Sequence, residues 1–360
     1  MHTVDKSGKK LPSFFKDSGI LITGGAGFVG SNLVRSLLAM DIRSIHIVDN
    51  LLSSEKSNIP SDTRIRFTRG SISDDKVLTS IKDEYDYIFH LSTYHGNQSS
   101  IFNPLADHEN NQLTTLKLFE QVKKFKKLKK VVYSAAGCAV AEKTFDKAHA
   151  TLEDAPISLE MDSPYSISKI VGEFYSVYYH KQHNLPIVRA RFQNVYGPGE
   201  ILGAGEWRGT PATVWRNVVP TFVYKAIKKE PLPIDGKGDA TRDFIYVDDI
   251  IQGLELCAAY GKPGDVYNLA SGKETSILDL ANTINELSNN PSGMIFNPAR
   301  DWDHSGRRFG STEKSRKEIK FNAEVELGDG LKNTIAWTQK NIALIDTCIQ
   351  KHKENLIRCQ

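Results

Sequence analysis

Short β-rich runs alternate with helical patterns along the first half of the chain, and this alternation restricts the fold more than any other feature of the sequence. The helical stretches Val29–Met40 and Leu113–Phe125 have the length of ordinary connections between strands. Such alternation predicts βαβ units with right-handed crossovers, and hence an α/β, doubly wound parallel sheet with helices on both faces. The strand candidates are Ile20–Thr23, Ile45–Asp49, Ile65–Thr68, Tyr87–Ser92, Val131–Ser134 and Ile187–Phe192.

The pattern loosens beyond about residue 195, where glycine and proline become dense. Short helical patterns at Val218–Lys228, Ile277–Leu287 and Leu331–Lys340 separate these loops. We therefore expect a first domain at residues 19–195 and a smaller mixed α/β lobe at 196–340, packed over the carboxyl edge of the sheet. A C-terminal tail at 341–360 follows, and the strand pattern near 266–269 is compatible with a return to the main sheet.

The composition is that of an ordinary globular chain and argues against several classes of protein. Its 360 residues include 46 Lys and Arg against 43 Asp and Glu, and the net charge of +3 argues against a nucleic-acid partner. The lysine-rich run at 123–130 fits the solvated end of a helix better than a phosphate-binding patch. No stretch is apolar enough for a membrane span or a signal peptide, and the four cysteines form no C-x-x-C pair. We expect a cytoplasmic protein with reduced thiols and no membrane partner.

A glycine-rich turn follows the first predicted strand. Gly24, Gly27 and Gly30 recur every three residues where ILIT runs into a helix that begins near Phe28. Glycines in this context permit a tight turn and let the backbone approach a pyrophosphate, and the helix dipole favours the phosphates. Asp49 ends the second strand 19 residues after Gly30, where an acidic side chain accepts the ribose hydroxyls and repels a 2′-phosphate. The pattern predicts NAD rather than NADP as cofactor.

A Tyr-x-x-x-Lys pattern lies further along the chain, at Tyr165 and Lys169. Residues four apart share one face of a helix, so the phenol and the ammonium are expected to be neighbours. A nearby cation favours the phenolate and lowers the pKa of the tyrosine from its usual value of about 10. Such a tyrosine acts as a general base toward a hydroxyl or as a general acid toward a carbonyl.

Together with several other stretches, these two patterns resemble the extended short-chain dehydrogenase/reductases, specifically the NAD-dependent nucleotide-sugar epimerase/dehydratase family of UDP-glucose 4-epimerase-like enzymes. The resemblance implies a Rossmann-type sheet, tightly held NAD and a nucleoside-diphosphate sugar in the C-terminal lobe. It also implies oxidation of the sugar at carbon 4 with Tyr165 as base, Lys169 on the nicotinamide ribose, and a homodimer. The matching stretches run from about Gly19 to Gln339 and include TGGAGFVGSNLV, VDNLLSS, FHLST, RFQNVYGPG, LPIDGKGDATRDFIYVDDI and YNLASG.

The site residues of the family carry over position by position. Arg242 and Arg300 would clamp the diphosphate, which suits a bidentate guanidinium, although a surface ion pair is the alternative for each. The other implied substrate contacts are Asn194, Asn217, Val218, Pro233, Asp235 and Asp303, with Trp207 and Arg208 as candidates in the glycine-rich loop before Asn217. The implied cofactor contacts are Gly24, Gly27, Phe28, Val29, Gly30, Asp49, Asn50, Ser71, Ile72, Leu91, Ser92, Thr93, Asn110, Tyr165, Lys169 and Phe192.

One departure from the family pattern concerns a hydroxyl group. In this family the strand before the tyrosine ends in a Ser or Thr that contacts the sugar oxygen, and Ala136 stands at that position. Ser134 precedes it by two residues, about 7 Å back along a strand, and is the candidate catalytic replacement. Thr93, Cys138 and a water molecule are the alternatives, and the loss of such a group slows proton transfer by a factor of about 10².

A second departure is the absence of carboxylic acids after that position. The 4,6-dehydratases of the family carry an Asp-Glu pair there, whereas this chain has Gly137 and Cys138. Dehydration is therefore disfavoured. Ser71 replaces an Asp that often contacts adenine in the family, and its hydroxyl keeps the capacity to hydrogen-bond.

Three functions remain compatible with these residues. A nucleotide-sugar epimerase acting at carbon 4 through a transient keto sugar fits best, because it needs no acid beyond Tyr165. A nucleotide-sugar dehydrogenase or ketoreductase stays open because of the altered loop at 136–138, and a catalytically idle NAD-binding sensor or scaffold is opposed by the intact Tyr165 and Lys169. The histidines show no metal-ligand spacing, so no metal is expected. Neither the nucleotide nor the sugar can be named from the sequence.

Overall fold

The computed structural model describes residues 13–141, 144–304 and 306–359, so most of the polar leader, at 1–12, lies outside the described part of the chain. The strands in chain order are β1 (Gly19–Thr23), β2 (Ser44–Asp49), β3 (Ile65–Arg69), β4 (Tyr87–His90), β5 (Lys130–Ala136), β6 (Ala150–Thr151), β7 (Ile187–Phe192), β8 (Asn194–Tyr196), β9 (Leu232–Asp235), β10 (Thr241–Arg242), β11 (Phe244–Tyr246), β12 (Val266–Leu269), β13 (Thr275–Ser276), β14 (Met294–Asn297) and β15 (Phe309–Gly310). The helices are α1 (Phe28–Leu38), α2 (Asp75–Ser80), α3 (Asn97–Phe102), α4 (Pro104–Asp107), α5 (Thr114–Val122), α6 (Pro164–His183), α7 (Val218–Ile227), α8 (Val247–Tyr260), α9 (Ile277–Leu287), α10 (Glu313–Ile319), α11 (Leu327–Lys340), α12 (Ile342–Gln350) and α13 (Lys353–Arg358). A π-helical segment, His108–Leu113, joins α4 to α5.

Seven strands form one parallel sheet in the order β12-β7-β5-β4-β1-β2-β3. Every residue of β1, β4 and β12 is buried, which requires helices on both faces of the sheet. On one face Leu33 of α1 packs with Ile20 and Ile22. On the other face Phe119 of α5 packs with Leu21. The predicted α/β, doubly wound sheet is confirmed.

The strand order reverses between β1 and β4. These two strands are neighbours, with Ile22 beside Phe89. The other neighbour of β1 is β2, and the other neighbour of β4 is β5. The connections that leave their carboxyl ends therefore diverge and open a crevice, the usual ligand site of such sheets. The predicted cofactor and catalytic residues follow strands that end at this edge.

The C-terminal lobe is built from pairs of short strands: β8 with β11, β9 with β14, β10 with β13 and β6 with β15. The segment Val266–Leu269 instead pairs with β7, so it does return to the central sheet. The predicted tail contains α12 and α13, and Ile345 of α12 is buried against Ile201 and Leu202. The limits given for the two domains stay predictions.

Two features of the helices bear on the predicted partners. Helix α5 ends at Val122, earlier than the sequence pattern predicts, because the backbone N–H groups of Lys126 and Lys127 donate to the Asp83 carboxylate at 2.7 and 3.1 Å. The lysine-rich segment is thus a loop up to Lys129 rather than the predicted helix end, Lys130 begins β5, and four of the six lysines are exposed. Within the described ranges, no helix is long and apolar enough to cross a bilayer.

Candidate active site and cofactor cleft

The glycine turn joins β1 to α1 at the crevice. Gly24 has φ +76°, and a Cβ atom there would lie 2.7 Å from the Ser92 backbone. A Cβ on Gly30 would lie 2.2 Å from the Gly24 carbonyl oxygen, so helix and turn require glycine to approach each other. Gly27 is the N-cap of α1, and neither a capping side chain nor an acidic residue occupies the first turn of that helix. The turn therefore presents an uncapped helix dipole, which fits the pyrophosphate of NAD.

Asp49, at the end of β2, holds this turn in place. One carboxylate oxygen accepts from the Ala26 N–H at 3.0 Å, and the other accepts from the Leu51 N–H at 2.8 Å and the Ser54 hydroxyl at 3.0 Å. Burial raises the pKa of Asp49, and these hydrogen bonds oppose that shift. Asp49 thus fixes the glycine turn, and its contact with the ribose stays a prediction.

The other predicted cofactor contacts surround the same edge of the sheet. The Asn50 amide donates to the Asn110 side-chain oxygen at 3.2 Å, which joins the loop after β2 to the π-helical segment. The hydroxyls of Ser71 and Ser73, beyond β3, are 2.9 Å apart. The remaining positions are Phe28 and Val29 in the first turn of α1, Ile72 beyond β3, Leu91, Ser92 and Thr93 after β4, and Phe192 at the end of β7.

The tyrosine–lysine pair lies in the first two turns of α6. Ser163 caps this helix by accepting the Ser166 N–H, and Pro164 occupies its first turn. The Lys169 ammonium donates to the Ser134 carbonyl oxygen at 2.9 Å and lies 5.8 Å from the centre of the Tyr165 ring. Burial lowers the pKa of Lys169 to about 8, and Asp107 acts in the opposite direction.

The effect expected for the Tyr165 phenol is not found. Burial raises its pKa above the usual value, Cys138, Tyr133 and Asp107 contribute in the same direction, and the Thr93 side chain acts to lower it. Lys169 is bound to a backbone carbonyl and does not offset the desolvation of the phenolate. The lowered pKa that the Tyr-x-x-x-Lys spacing predicts for Tyr165 is therefore not found, and an added positive charge would act to lower it.

Ser134 does not occupy the place of the missing hydroxyl. Its side chain is buried and donates to the His90 carbonyl oxygen at 2.9 Å across the sheet. Its backbone carbonyl instead positions Lys169. This hydrogen bond does not favour the catalytic role predicted for Ser134, which stays a prediction. At the family position, Ala136 lies in an apolar cluster with Cys138 and the Tyr165 ring.

A buried polar network that the sequence did not reveal begins at Thr93. The Thr93 hydroxyl donates to the Asn111 side-chain oxygen at 3.0 Å and has the Tyr165 phenol as a neighbour. The Asn111 amide donates to the Asp107 carboxylate at 2.7 Å, and the Ser168 hydroxyl donates to the other oxygen of that carboxylate. Asp107 and Asn111 lie on the helical segments between β4 and β5, and no spacing rule connects them to Tyr165.

The two predicted diphosphate-binding arginines lie in ion pairs. Arg242 is buried, donates to the carbonyl oxygens of Thr241 and Gly306 at 2.7 and 2.8 Å, and lies 3.5 Å from the Asp303 carboxylate. Arg300 contacts the Asp235 carboxylate at 2.7 Å. Burial lowers the pKa of Arg242 to about 9, so the guanidinium is charged at neutral pH.

The remaining predicted substrate contacts belong to the C-terminal lobe. Asn194 lies on β8 beside Phe244, two residues beyond Arg242. Asn217 is the N-cap of α7, and its amide donates to the Glu200 carboxylate. Val218 begins α7, and Pro233 and Asp235 lie on β9.

The fold, the glycine turn and the tyrosine–lysine pair define a Rossmann-type enzyme class that binds a dinucleotide. The family model described as the NAD dependent epimerase/dehydratase family matches residues 20–270. The chain belongs to this family of NAD-dependent enzymes that act on nucleotide sugars.

Proteins similar to this chain carry out more than one reaction. The Bordetella bronchiseptica enzyme WbmF, solved in complex with NAD⁺ and UDP, is 60% identical, with a TM-score of 0.87 over 96% of this chain and 99% of that one. The UDP-glucose 4-epimerase from Thermotoga maritima, solved with UDP-glucose, is 28% identical, with a TM-score of 0.80 over 90% of this chain and 99% of that one. The dTDP-glucose 4,6-dehydratase from Streptomyces antibioticus is 26% identical over 90% of this chain and 93% of that protein. The matches establish the family, and they include both an epimerase and a dehydratase.

Proposed function

We propose that this protein is an NAD-dependent epimerase of UDP-sugars that acts at carbon 4 through a transient keto sugar. The observation that carries the proposal is the arrangement at the carboxyl edge of β5. Tyr165 and Lys169 face a turn at 136–138 that supplies no carboxylic acid. The crystal structure of WbmF with UDP supports the choice of the uridine nucleotide.

The residues of this chain have separable roles in such a reaction. NAD⁺, when bound at the glycine turn, would supply the acceptor for the hydride of carbon 4. Tyr165 takes the proton of the 4-hydroxyl when carbon 4 is oxidised and returns it to the carbonyl oxygen when the hydride is added to the other face of the keto sugar. Lys169 is protonated below a pH of about 8, so its charge, together with that of the oxidised cofactor, favours the phenolate. The Thr93 hydroxyl acts in the same direction when it turns its proton from Asn111 to the phenolate oxygen.

Elimination of water is disfavoured by the same turn. Gly137 and Cys138 occupy the positions of the dehydratase acids, and a Cβ at Gly137 would lie 2.2 Å from the Gln193 amide. A carboxylate side chain at 137 would therefore require Gln193 to move. A dehydrogenase that stops after one hydride transfer is the second candidate, favoured by the absence of a hydroxyl at Ala136.

Proton NMR of UDP-, GDP-, dTDP- and CDP-sugars incubated with the protein and NAD tests the proposal. We expect a UDP-sugar with an inverted ring coupling at carbon 4 and no accumulated NADH. A keto sugar formed with stoichiometric NADH would establish the dehydrogenase instead. A 4-keto-6-deoxy product would show that the dehydratase assignment had been rejected wrongly.

Thr93 replaces the missing hydroxyl of Ala136 in this proposal. Thr93→Val should lower kcat by a factor of about 10², because Tyr165 loses its hydrogen-bond partner, while NAD stays bound. The measurement is steady-state epimerisation, with bound NAD quantified after denaturation. Thr79→Val, on the exposed surface of α2, is the matched control, and Ala136→Ser in the Thr93→Val background should restore part of the rate. An unchanged kcat in Thr93→Val would contradict the role.

We also propose that the chain forms a homodimer through α3, α4 and α6. These helices pack side by side and carry several exposed apolar side chains. The set is Ile101, Phe102, Leu105, Ile167, Phe174 and Tyr178, with exposed fractions of 40 to 80%. A charge in the centre of such a face prevents burial, so Phe174→Glu should elute as a single chain in size-exclusion chromatography with light scattering. Phe296→Glu, on β14 and 57% exposed, is the control and should keep the mass of two chains. A wild-type protein that remains monomeric at every concentration would overturn the proposal.

A further inference from the structure

Arg208 lies in the loop between β8 and α7 and is buried, with 5% of its surface exposed. Its Nη1 donates to the His95 carbonyl oxygen at 2.8 Å, and its guanidinium carbon lies 5.5 Å from the centre of the Tyr94 ring. Its backbone N–H donates to the Thr213 hydroxyl at 3.0 Å. The guanidinium is therefore held in one orientation by the loop that follows β4.

Two of the three guanidinium nitrogens of Arg208 lack a hydrogen-bond partner within the described part of the chain. Among the described residues, neither Nε nor Nη2 of Arg208 has a hydrogen-bond partner, although both atoms are buried. Buried donors of a charged group are rarely left unmet, because desolvation is not compensated. The Nε–H and one Nη2–H point the same way along one edge of the guanidinium. This edge matches the two oxygens of a single carboxylate.

The surroundings of Arg208 have an excess of positive charge. Arg216 is the neighbouring cation, and it donates to the carbonyl oxygens of Ser53 and Ala204 at 2.9 and 2.7 Å. Burial and Arg216 lower the pKa of Arg208 to about 10, which leaves it charged at neutral pH. The nearby carboxylate, Glu200, accepts from Asn217 and not from Arg208. Arg208 and Arg216 therefore lie near each other, while the nearby carboxylates of Glu200 and Glu55 accept from Asn217 and Lys351, and an added anion would be attracted.

The residue that holds Arg208 also contacts the ring of Tyr165. The ring of His95, whose carbonyl accepts from Arg208, is 5.9 Å from the ring of Tyr165, measured between their centres. The arginines expected at the diphosphate, Arg242 and Arg300, belong to other loops and are paired with their own carboxylates. Arg208 is thus linked through His95 to the tyrosine that the proposed function places at carbon 4.

We propose that Arg208 binds the carbon-6 carboxylate of a hexuronic acid, and that the substrate is a UDP-hexuronic acid rather than a neutral UDP-hexose. The inference rests on the proposed function for the position of the sugar. In a hexuronic acid the carboxylate is attached to carbon 5, next to the reacting carbon 4. The two oxygens of that carboxylate fill the two unmet N–H groups and neutralise the excess charge.

The test is binding to the NAD-loaded protein, measured by calorimetry with UDP-galacturonic acid, UDP-galactose and UDP. We expect the wild-type protein to bind the uronic acid at least about tenfold more tightly than the hexose. In Arg208→Gln the two sugars should bind equally, with UDP unaffected. Arg43→Gln, an exposed arginine at the opposite edge of the sheet, is the matched control and should keep the wild-type ratio.

Each outcome decides the inference. Equal affinity of the wild-type protein for the two sugars, or binding of neither, overturns it without any variant. A loss of UDP affinity in Arg208→Gln overturns it by placing the arginine at the diphosphate. Turnover is read separately by NMR, so tight binding of the uronic acid with no epimerisation would keep the carboxylate site and reject the proposed function.

Discussion

Tyr165→Phe should reduce hydride transfer by roughly 10²- to 10⁴-fold, the range by which positioned acid–base groups accelerate reactions. The phenol is the group in this cleft that is placed to exchange a proton with a sugar hydroxyl, and the nearby serine, Ser134, donates elsewhere. The substitution removes one oxygen and leaves the ring in its cluster with Ala136 and Cys138. The measurement is single-turnover formation of NADH or of epimerised sugar after mixing substrate with NAD-loaded protein.

The NAD content of the variant and a control substitution distinguish a catalytic role of Tyr165 from a structural one. NAD content should be unchanged in Tyr165→Phe, because the glycine turn and Asp49 do not contact the phenol. Tyr175→Phe, ten residues along the same helix, makes the same chemical change outside the cleft and should keep wild-type turnover. Undiminished turnover in Tyr165→Phe would exclude the mechanism proposed here.

The central sheet could be predicted from the sequence because its strands are buried on both faces. ILIT and YIFH read as apolar runs between glycine or polar turns, and both became strands in which every residue is buried. The short strands of the C-terminal lobe gave no comparable signal. Thr241–Arg242 and Phe309–Gly310 are strands of two residues that depend on partners far along the chain.

Helix ends were less predictable because contacts distant in sequence determine them. Asp83 accepts the N–H groups of Lys126 and Lys127 and so ends the helical pattern of α5 early. Helix α11 begins at Leu327, four residues before the predicted start, since its first turn includes two glycines that weaken the sequence pattern. Neither effect follows from local periodicity.

Some residues of the candidate site are likewise predictable from local spacing, whereas others are brought together only by the fold. The glycine turn and the tyrosine–lysine pair are local spacings, and the sequence located both. The direction of the Ser134 hydroxyl depends on the register of β5 against β4, and the Thr93–Asn111–Asp107 network depends on how α4 and the π-helical segment pack against α6. The unmet donors of Arg208 are likewise visible only in the folded chain.

A buried ion pair attaches α6, the helix that carries Tyr165 and Lys169, to the sheet. Glu173 lies one turn after Lys169 and accepts two hydrogen bonds from Arg191 of β7, at 2.8 and 2.9 Å. Arg189 adds a third contact at 3.3 Å. The side chains of Glu173 and Arg191 are only 3% and 4% exposed, so the pair lies in a weakly screened interior.

Glu173→Ala should lower the free energy of unfolding by about 3–5 kcal/mol, because it leaves the Arg191 charge buried without its carboxylate. Typical folded chains have only about 5–15 kcal/mol in total, so the loss should be obvious in urea unfolding followed by circular dichroism. Asp329→Ala is the control: its pair with Lys332 is 2.9 Å long but 69% and 62% exposed, and its removal should change the free energy by less than about 1 kcal/mol. Similar changes in the two variants would mean that the Glu173 pair does not hold α6 to the sheet.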